Sequence, residues 1–258
     1  MTDFKGRVVI LSGATGGFGQ AAARFFADAG ARLVLSDLND GALSELAEGL
    51  GAETIVQAGD ITDPGLSEKL VAIAVSHFGR LDITVNNAGI AHDMMPLPQT
   101  PVDVARKIVD IDLMGVFYAM RAQLPVMEKR FRETGATGSI VNVASVAGVV
   151  AAPMLSVYAA AKHGVVGLTK SAAIEYARRG VRVNALCPSF ARTPMVTGFL
   201  DQAGADRAAA EAGLVRSVPM GRLAEVDEVI AGLAFLADPA SSFITGQTLK
   251  VDGGLSAA

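Results

Sequence analysis

The chain has 258 residues, 51% of them hydrophobic, a net charge of −4 and no basic stripe, which argues against nucleic acid as a partner. No apolar run reaches the roughly 18 residues of a membrane span, the amino terminus MTDFKGRVV lacks a leader pattern, and the single Cys187 suits a reducing compartment, so a cytoplasmic protein is expected. His77, His92 and His163 stand apart with no carboxylate or thiol at ligand spacing, and no metal is expected.

RVVILS at 7–12 reads as a strand, and the glycine-rich SGATGGFG that follows it leads into a helix over 17–29. Glycines at 13, 16, 17 and 19 let the backbone approach a pyrophosphate, whose charge is held by free amides at the helix start. Gly17-x-Gly19-x-x-Ala22 satisfies a relaxed dinucleotide fingerprint, although a bare glycine-rich turn looks the same. The helix is expected to bury Ala21, Ala22, Phe25 and Phe26. RLVLS at 32–36 is the second strand, and Asp37 follows it. A carboxylate there hydrogen-bonds the ribose hydroxyls of an adenosine and repels a 2′-phosphate. No Arg or Lys lies in 13–20 or 33–41, which favours NAD over NADP. The competing use of Asp37, capping helix 40–49, suits Asn39 or Asp40 better.

ETIVQA (53–58) and DITVN (82–86) read as the next strands, with a helix over 64–79 between them. A long helix follows over 101–130, with Thr100 as N-cap, Pro101 in its first turn and Asp103 as capping acid. SIVNVA (139–144), RVNALC (182–187) and QTLKV (247–251) are further strands. Helix 157–179, closed by Gly180 after Arg178 and Arg179, and helix 225–237 lie among them. The alternation predicts one α/β domain over residues 1–258: a doubly wound, seven-stranded parallel sheet of Rossmann type with helices on both faces. Ligands of such a sheet bind beyond the carboxyl ends of the strands.

Tyr158 and Lys162, at i and i+4 of helix 157–179, share one face. A free phenol titrates near ~10. Lys162 and an oxidised nicotinamide would both lower that value, letting Tyr158 act as base in alcohol oxidation and acid in ketone reduction. The pair is easily produced by chance and gains meaning only from its neighbours in the chain.

Those neighbours resemble the short-chain dehydrogenase/reductase family over about residues 5–254. SGATGGFG, with Ser12 for the usual threonine, is similar to the family's Thr-Gly-x-x-x-Gly-x-Gly loop. The likeness implies cofactor contacts at Ser12, Gly13, Gly17, Phe18 and Gly19, and at Asp37 and Leu38 after the second strand. GDIT at 59–62 resembles the adenine-contacting turn, with Asp60 and Ile61. NNAG at 86–89 resembles the cleft-lining motif, with Asn87, Ala88 and Gly89. CPSFART at 187–193 resembles the Pro-Gly-x-x-x-Thr segment, with Ser189 for the glycine. It implies cofactor contacts at Pro188 and Thr193, the latter holding the nicotinamide carboxamide. VDGG at 251–254 resembles the carboxyl-terminal signature.

The resemblance implies hydride transfer between NAD(H) and a secondary alcohol or ketone. Ser145 would hydrogen-bond the substrate oxygen, Tyr158 move the proton, and Lys162 also bind the nicotinamide ribose. Plainer uses exist: ring packing for Tyr158, snorkelling for Lys162, a strand-end amide for Ser145. Asp112, in VDIDLMGVF, stands where the family usually carries an asparagine supporting a water that links the lysine to solvent. It joins the catalytic candidates as a carboxylate expected to draw Lys162 or a water toward it and to shift the pH profile.

The apolar MMPLP (94–98) and GVVAAPML (148–155), with Met195, Val196, Phe199 and Leu200, suit a substrate with a hydrophobic body, while Arg192 leaves an acidic one open. Residues 190–222, with Gly198, Gly204 and Gly213 interrupting short helical pieces, read as a substrate-binding flap. Ala159, Ala160, Gly164, Val165 and Gly167 put small or apolar residues on several faces of one helix. The family usually forms tetramers, so a homotetramer is expected. Two other readings compete. An NADPH-dependent reductase of acyl-carrier thioesters is disfavoured by Asp37 and the negative net charge. A non-catalytic dinucleotide-binding regulator is disfavoured by the intact Ser145, Tyr158 and Lys162 set.

Overall fold

The structure is a computed structural model and describes residues 4–257 apart from residue 203. Strands β1 (Val8–Ser12), β2 (Arg32–Asp37), β3 (Thr54–Ala58), β4 (Ile83–Asn86), β5 (Gly138–Val143), β6 (Val181–Pro188) and β7 (Thr248–Val251) form one sheet in the order β3-β2-β1-β4-β5-β6-β7. Every neighbouring pair is parallel. The chain winds outward from β1 to β3, then restarts at β4 on the other side of β1. The loops leaving β1 and β4 therefore diverge and open a crevice between them.

The period-two alternation of β1 divides the core. Val9 and Leu11 join Phe26, Leu33, Leu35, Leu43 and Leu233 on one face, under α1 (Gly17–Asp28), α2 (Asp40–Glu48) and the last long helix. Val8 and Ile10 join Leu70, Met127, Ile140 and Val165 on the other, under α3 (Pro64–Phe78) and two helices named below. A sheet covered on both faces accounts for the hydrophobic content. Among the described residues, no helix is long and apolar enough to cross a membrane.

The helix expected over 101–130 is two helices, α4 (Val102–Val109) and α5 (Gly115–Thr134), joined by one π-helical turn, Asp110–Met114. Thr100 is not its cap. Extended Pro101 occupies that position, the helix starts one residue later, and Thr100 Oγ1 is buried without a hydrogen-bond partner. Asp103 does lie in the first turn. Helix α6 (Ser156–Tyr176) runs into a 3₁₀ turn, and Gly180 stops it at φ 73°, a left-handed conformation that costs glycine little. Helices α7 (Pro194–Gln202), α8 (Arg207–Val215) and α9 (Val226–Ala237) follow. Gly198 and Gly213 lie inside α7 and α8 rather than interrupting them; only Gly204 falls between the two. In α1, Ala22 and Phe26 are buried as expected, whereas Ala21 and Phe25 pack against the core half-buried and Ala23 takes the deep position.

Candidate active site

The crevice beside β1 is a cleft of about 370 Å³. Its floor is stitched from the two diverging loops. Ser12 Oγ accepts from Asn87 N (3.2 Å) and Ala88 N (3.3 Å), and Asn87 Nδ2 donates to the carbonyls of Ser12 (3.2 Å) and Gly13 (2.9 Å). The glycines permit this approach. A Cβ on Gly13, whose φ is +64°, would sit 2.8 Å from the Ala88 backbone, and one on Gly19 would overlap the Gly13 carbonyl. A Cβ on Gly17 would meet Pro194 at 2.8 Å and Thr193 at 3.0 Å, so that glycine brings the start of α1 against the flap.

Asp37 closes one end of the cleft. Its Oδ2 accepts from Thr15 N (2.9 Å) and Thr15 Oγ1 (2.6 Å), and its Oδ1 from Leu38 N (2.7 Å). Asn39, not Asp37, caps α2, accepting from Ala42 N. Asp60 Oδ1 holds its own turn by accepting from Thr62 N and Oγ1. Ile61 packs against the start of α5 at Gly115. Among the described residues, Lys162 is the only cationic side chain lining the cleft.

At the other end, α6 presents Tyr158 and Lys162 to the same space. The Lys162 ammonium lies 5.6 Å from the centroid of the Tyr158 ring. It is 3% exposed and rests 3.2 Å from Asp112 Oδ2 and 3.3 Å from the Val143 carbonyl. The π turn carries Asp112, whose Oδ1 accepts from Ile90 N at 2.9 Å. The Nζ–Oδ2 approach is a close ion contact without hydrogen-bond alignment, since Oδ2 has no hydrogen-bond partner. Gly89 leaves the room: a Cβ there would stand 3.1 Å from Nζ. Burial pushes the Asp112 carboxyl up, against the pull of Lys162. Burial, the largest single influence, would lower Lys162, but Asp112, with smaller contributions from Tyr158 and Cys187, outweighs it and holds the ammonium above its ordinary range.

Ser145, two residues beyond β5, caps a short 3₁₀ turn, Val146–Gly148, its Oγ accepting from Ala147 N at 3.1 Å. The strand-end role is thus filled, and the hydroxyl proton is left for another acceptor. Ser145 and Pro188 line not the cleft but a second cavity of about 580 Å³, walled by side chains such as Met94, Val146, Leu155, Phe190, Val196 and Phe199. Tyr158, Thr193, Met195, Phe18 and Ala144 border both spaces. Of the residues expected at the cofactor, Ser12, Gly13, Gly17, Phe18, Asp37, Leu38, Asp60, Ile61, Asn87, Ala88, Gly89, Tyr158, Lys162 and Thr193 line the cleft; Gly19 and Pro188 do not. Arg192 turns away into ion pairs with Glu211 (3.0 Å) and Glu225 (3.1 Å) and does not line the cavity, which removes the reason for expecting an acidic substrate there. Ser189 adopts no left-handed backbone, so the usual glycine is not required at that position. Beneath Ser145, burial pushes the Cys187 thiol up to about 11.

Sequence reading missed Thr15 and a buried network under the site. Asn86 Nδ2 donates to Asn142 Oδ1 (2.8 Å), Gln123 Nε2 to Asn86 Oδ1 (2.8 Å), and Asn142 Nδ2 to Thr169 Oγ1 (2.9 Å). These join β4, β5, α5 and α6. Their signal was polar residues inside otherwise apolar strands and helices, where burial demands a partner.

Residues 13–256 match the family model described as "Enoyl-(Acyl carrier protein) reductase". The chain is 40% identical to the cis-4-hydroxycyclohexanecarboxylate dehydrogenase of Sinomonas cyclohexanicum, over 98% of each. It is 38% identical to the 2,5-dichloro-2,5-cyclohexadiene-1,4-diol dehydrogenase of Sphingobium indicum (strain B90A), over the full length of both. The crystal structure of levodione reductase superposes with a TM-score of 0.92 at 36% identity, covering 99% of each chain. The chain belongs to the short-chain dehydrogenase/reductase family, oxidoreductases that act on CH–OH groups with a nicotinamide dinucleotide.

Proposed function

We propose that this protein is an NAD-dependent oxidoreductase interconverting a ring-borne secondary alcohol and its ketone, with Ser145, Tyr158 and Lys162 catalytic and Asp112 positioning Lys162. The observation that carries the reading is the meeting of two spaces at Tyr158: a cleft suited to a dinucleotide and an apolar cavity suited to a hydrophobic substrate. The cleft residues fit the dinucleotide, since glycines let the two loops close into its floor and α1 starts at Gly17 on the cleft, where free amides can hold a pyrophosphate. The Asp37 carboxylate and, among the described residues, the lack of a second cation in the cleft favour NAD over its 2′-phosphorylated form. The ring follows from the names of two relatives, a hydroxycyclohexanecarboxylate dehydrogenase and a cyclohexadienediol dehydrogenase.

When bound, the dinucleotide supplies the acceptor or donor of hydride. The chain's residues hold the oxygen and move its proton. Ser145 donates its hydroxyl hydrogen to the substrate oxygen. Tyr158 takes the alcohol proton at Oη in oxidation and returns it in reduction. The Lys162 ammonium stabilises the negative charge that forms on that phenolic oxygen. One of its donors goes to the Val143 carbonyl and its charge lies against Asp112, which leaves a donor for a ribose hydroxyl. Helices α7 and α8 form the flap over the apolar cavity, and the active form is a homotetramer. The acyl-carrier reductase reading draws support from the description of the family model, but not from the single cation of the cleft.

Tyr158→Phe keeps the ring and removes the acid. Turnover of a cyclic secondary alcohol is expected to fall by about 10²–10⁴-fold, while fluorescence titration shows NADH bound as in the parent and NADPH bound more weakly. Wild-type turnover in this variant would remove the mechanism; tighter NADPH binding would remove the cofactor assignment.

A further inference from the structure

The wall of the apolar cavity carries one sign of charge. Among the described residues that line it, Asp93 is the only acidic one and no lysine or arginine contributes. Val150, Leu155, Phe190, Val196 and Phe199 supply apolar surface. The neutral polar groups of the wall are few and mostly engaged. Ser145 and Tyr158 serve the reacting oxygen, and Thr193 borders the dinucleotide cleft. Ser217 Oγ donates to the Leu214 carbonyl at 3.4 Å. The Nδ1 of His92 lies 2.7 Å from the Asp93 carbonyl oxygen and its Nε2 is covered by protein, so neither ring nitrogen is open to a ligand.

Arg192 precedes Thr193 in the chain and would be the natural counter-charge for an anionic substrate, but its guanidinium is already spent. Nη2 donates to Glu211 Oε1 at 3.0 Å and Nε to Glu225 Oε1 at 3.1 Å, and drawing it toward a ligand would break both pairs. A ring held with its hydroxyl at Ser145 and Tyr158 projects its far substituent against the apolar wall. A neutral substituent loses little there. A carboxylate gives up its water and meets no cation, a loss that apolar contact does not repay. The Asp93 charge adds repulsion.

We propose that the cavity selects by charge: its preferred substrates are uncharged ring alcohols, and a ring that bears a carboxylate is turned away. The inference rests on the alcohol oxidoreductase reading above and narrows it to a neutral substrate class.

The test measures kcat/KM with saturating NAD⁺ for cyclohexanol, 4-methylcyclohexanol, cis-4-hydroxycyclohexanecarboxylate and the methyl ester of that acid. The acid and its ester share ring, position and stereochemistry and differ in charge. The three neutral alcohols are expected to fall within about tenfold of one another, and the acid about 100-fold or more below its ester, the scale of an unpaired charge taken out of water. Arg192→Gln is expected to leave the ester-to-acid ratio within about twofold of the parent's, because the guanidinium serves Glu211 and Glu225 rather than substrate. An acid turned over within about tenfold of its ester, or a ratio that rises further in Arg192→Gln, would overturn the proposal and leave the oxidoreductase reading standing. A parent that turns over none of the four would overturn both.

Discussion

Asp112 and Lys162 form a buried pair whose two charges act on one another far more than on solvent. Burial is the largest influence on Lys162 and the Asp112 charge the largest that opposes it, so Asp112→Asn is expected to lower the ammonium's pKa. The ammonium is present below its folded pKa and lost above it. The alkaline limb of the pH–rate curve is therefore expected to move to lower pH, with the acidic limb less affected. A curve that overlays the parent's would show that the carboxylate does not set the lysine's charge. At this scale much was legible. Tyr158 and Lys162 stand one turn apart on a helix, so their meeting follows from spacing alone. The Asp112–Lys162 contact was expected from position, but its burial was not, because neither residue's neighbours in the chain reveal what lies above it.

Asp82 shows how the elements are pinned at the end of the sheet opposite the site. It is buried just before β4 and holds Arg80 (2.7 Å), Arg130 of α5 (2.9 Å) and Arg7 (3.3 Å), while Oδ2 accepts from Val8 N of β1 at 2.9 Å. Burial raises its carboxyl, but the Arg80 hydrogen bond, the Val8 amide and the Arg130 charge together bring it below the usual range. A depressed carboxyl stabilises the fold above its unfolded pKa, and that stability is lost as pH falls through the folded value. Asp82→Asn is expected to cost about 3 kcal/mol near neutrality, lowering Tm by about 5–10 °C. In calorimetry the difference from the parent should narrow as pH falls through the acid range, where the parent's carboxyl is itself protonated. A difference independent of pH would point to packing instead. The elements were legible in the sequence to within about two residues at most ends, because apolar periodicity is a local property. The exceptions are the π turn at 110–114, where the packing of Asp112 decides, the end of α5, which runs on to Thr134 before Gly135 stops it, and the end of α6, whose last residues form a 3₁₀ turn. The flap glycines misled because a single Gly inside a helix costs only about 1 kcal/mol and does not by itself end it.

The whole molecule follows from one repeated decision, a strand buried on both faces followed by a helix that returns it, and strand order needs only the handedness of those crossovers. What the chain alone does not cover is part of its helical exterior. Ala160, Gly167 and Ile174 lie at seven-residue spacing on the outer side of α6, Ile174 is 83% exposed, and nothing lies within 4 Å of a Cβ built on Gly167. Phe117 on α5 and Phe243 after α9 are also exposed. Such surface suits association between copies of the chain. Light scattering at micromolar concentration is expected to give about four times the chain mass, and Ile174→Glu to lower it. A parent that runs as a monomer would contradict the homotetramer.

The sole cysteine has a practical corollary. Sealed at the end of β6 with a thiol titrating at about 11, Cys187 stays almost wholly uncharged in ordinary buffers. Maleimides and iodoacetamide should leave the folded protein untouched, so a cysteine engineered onto the flap would be the only thiol to take a dye.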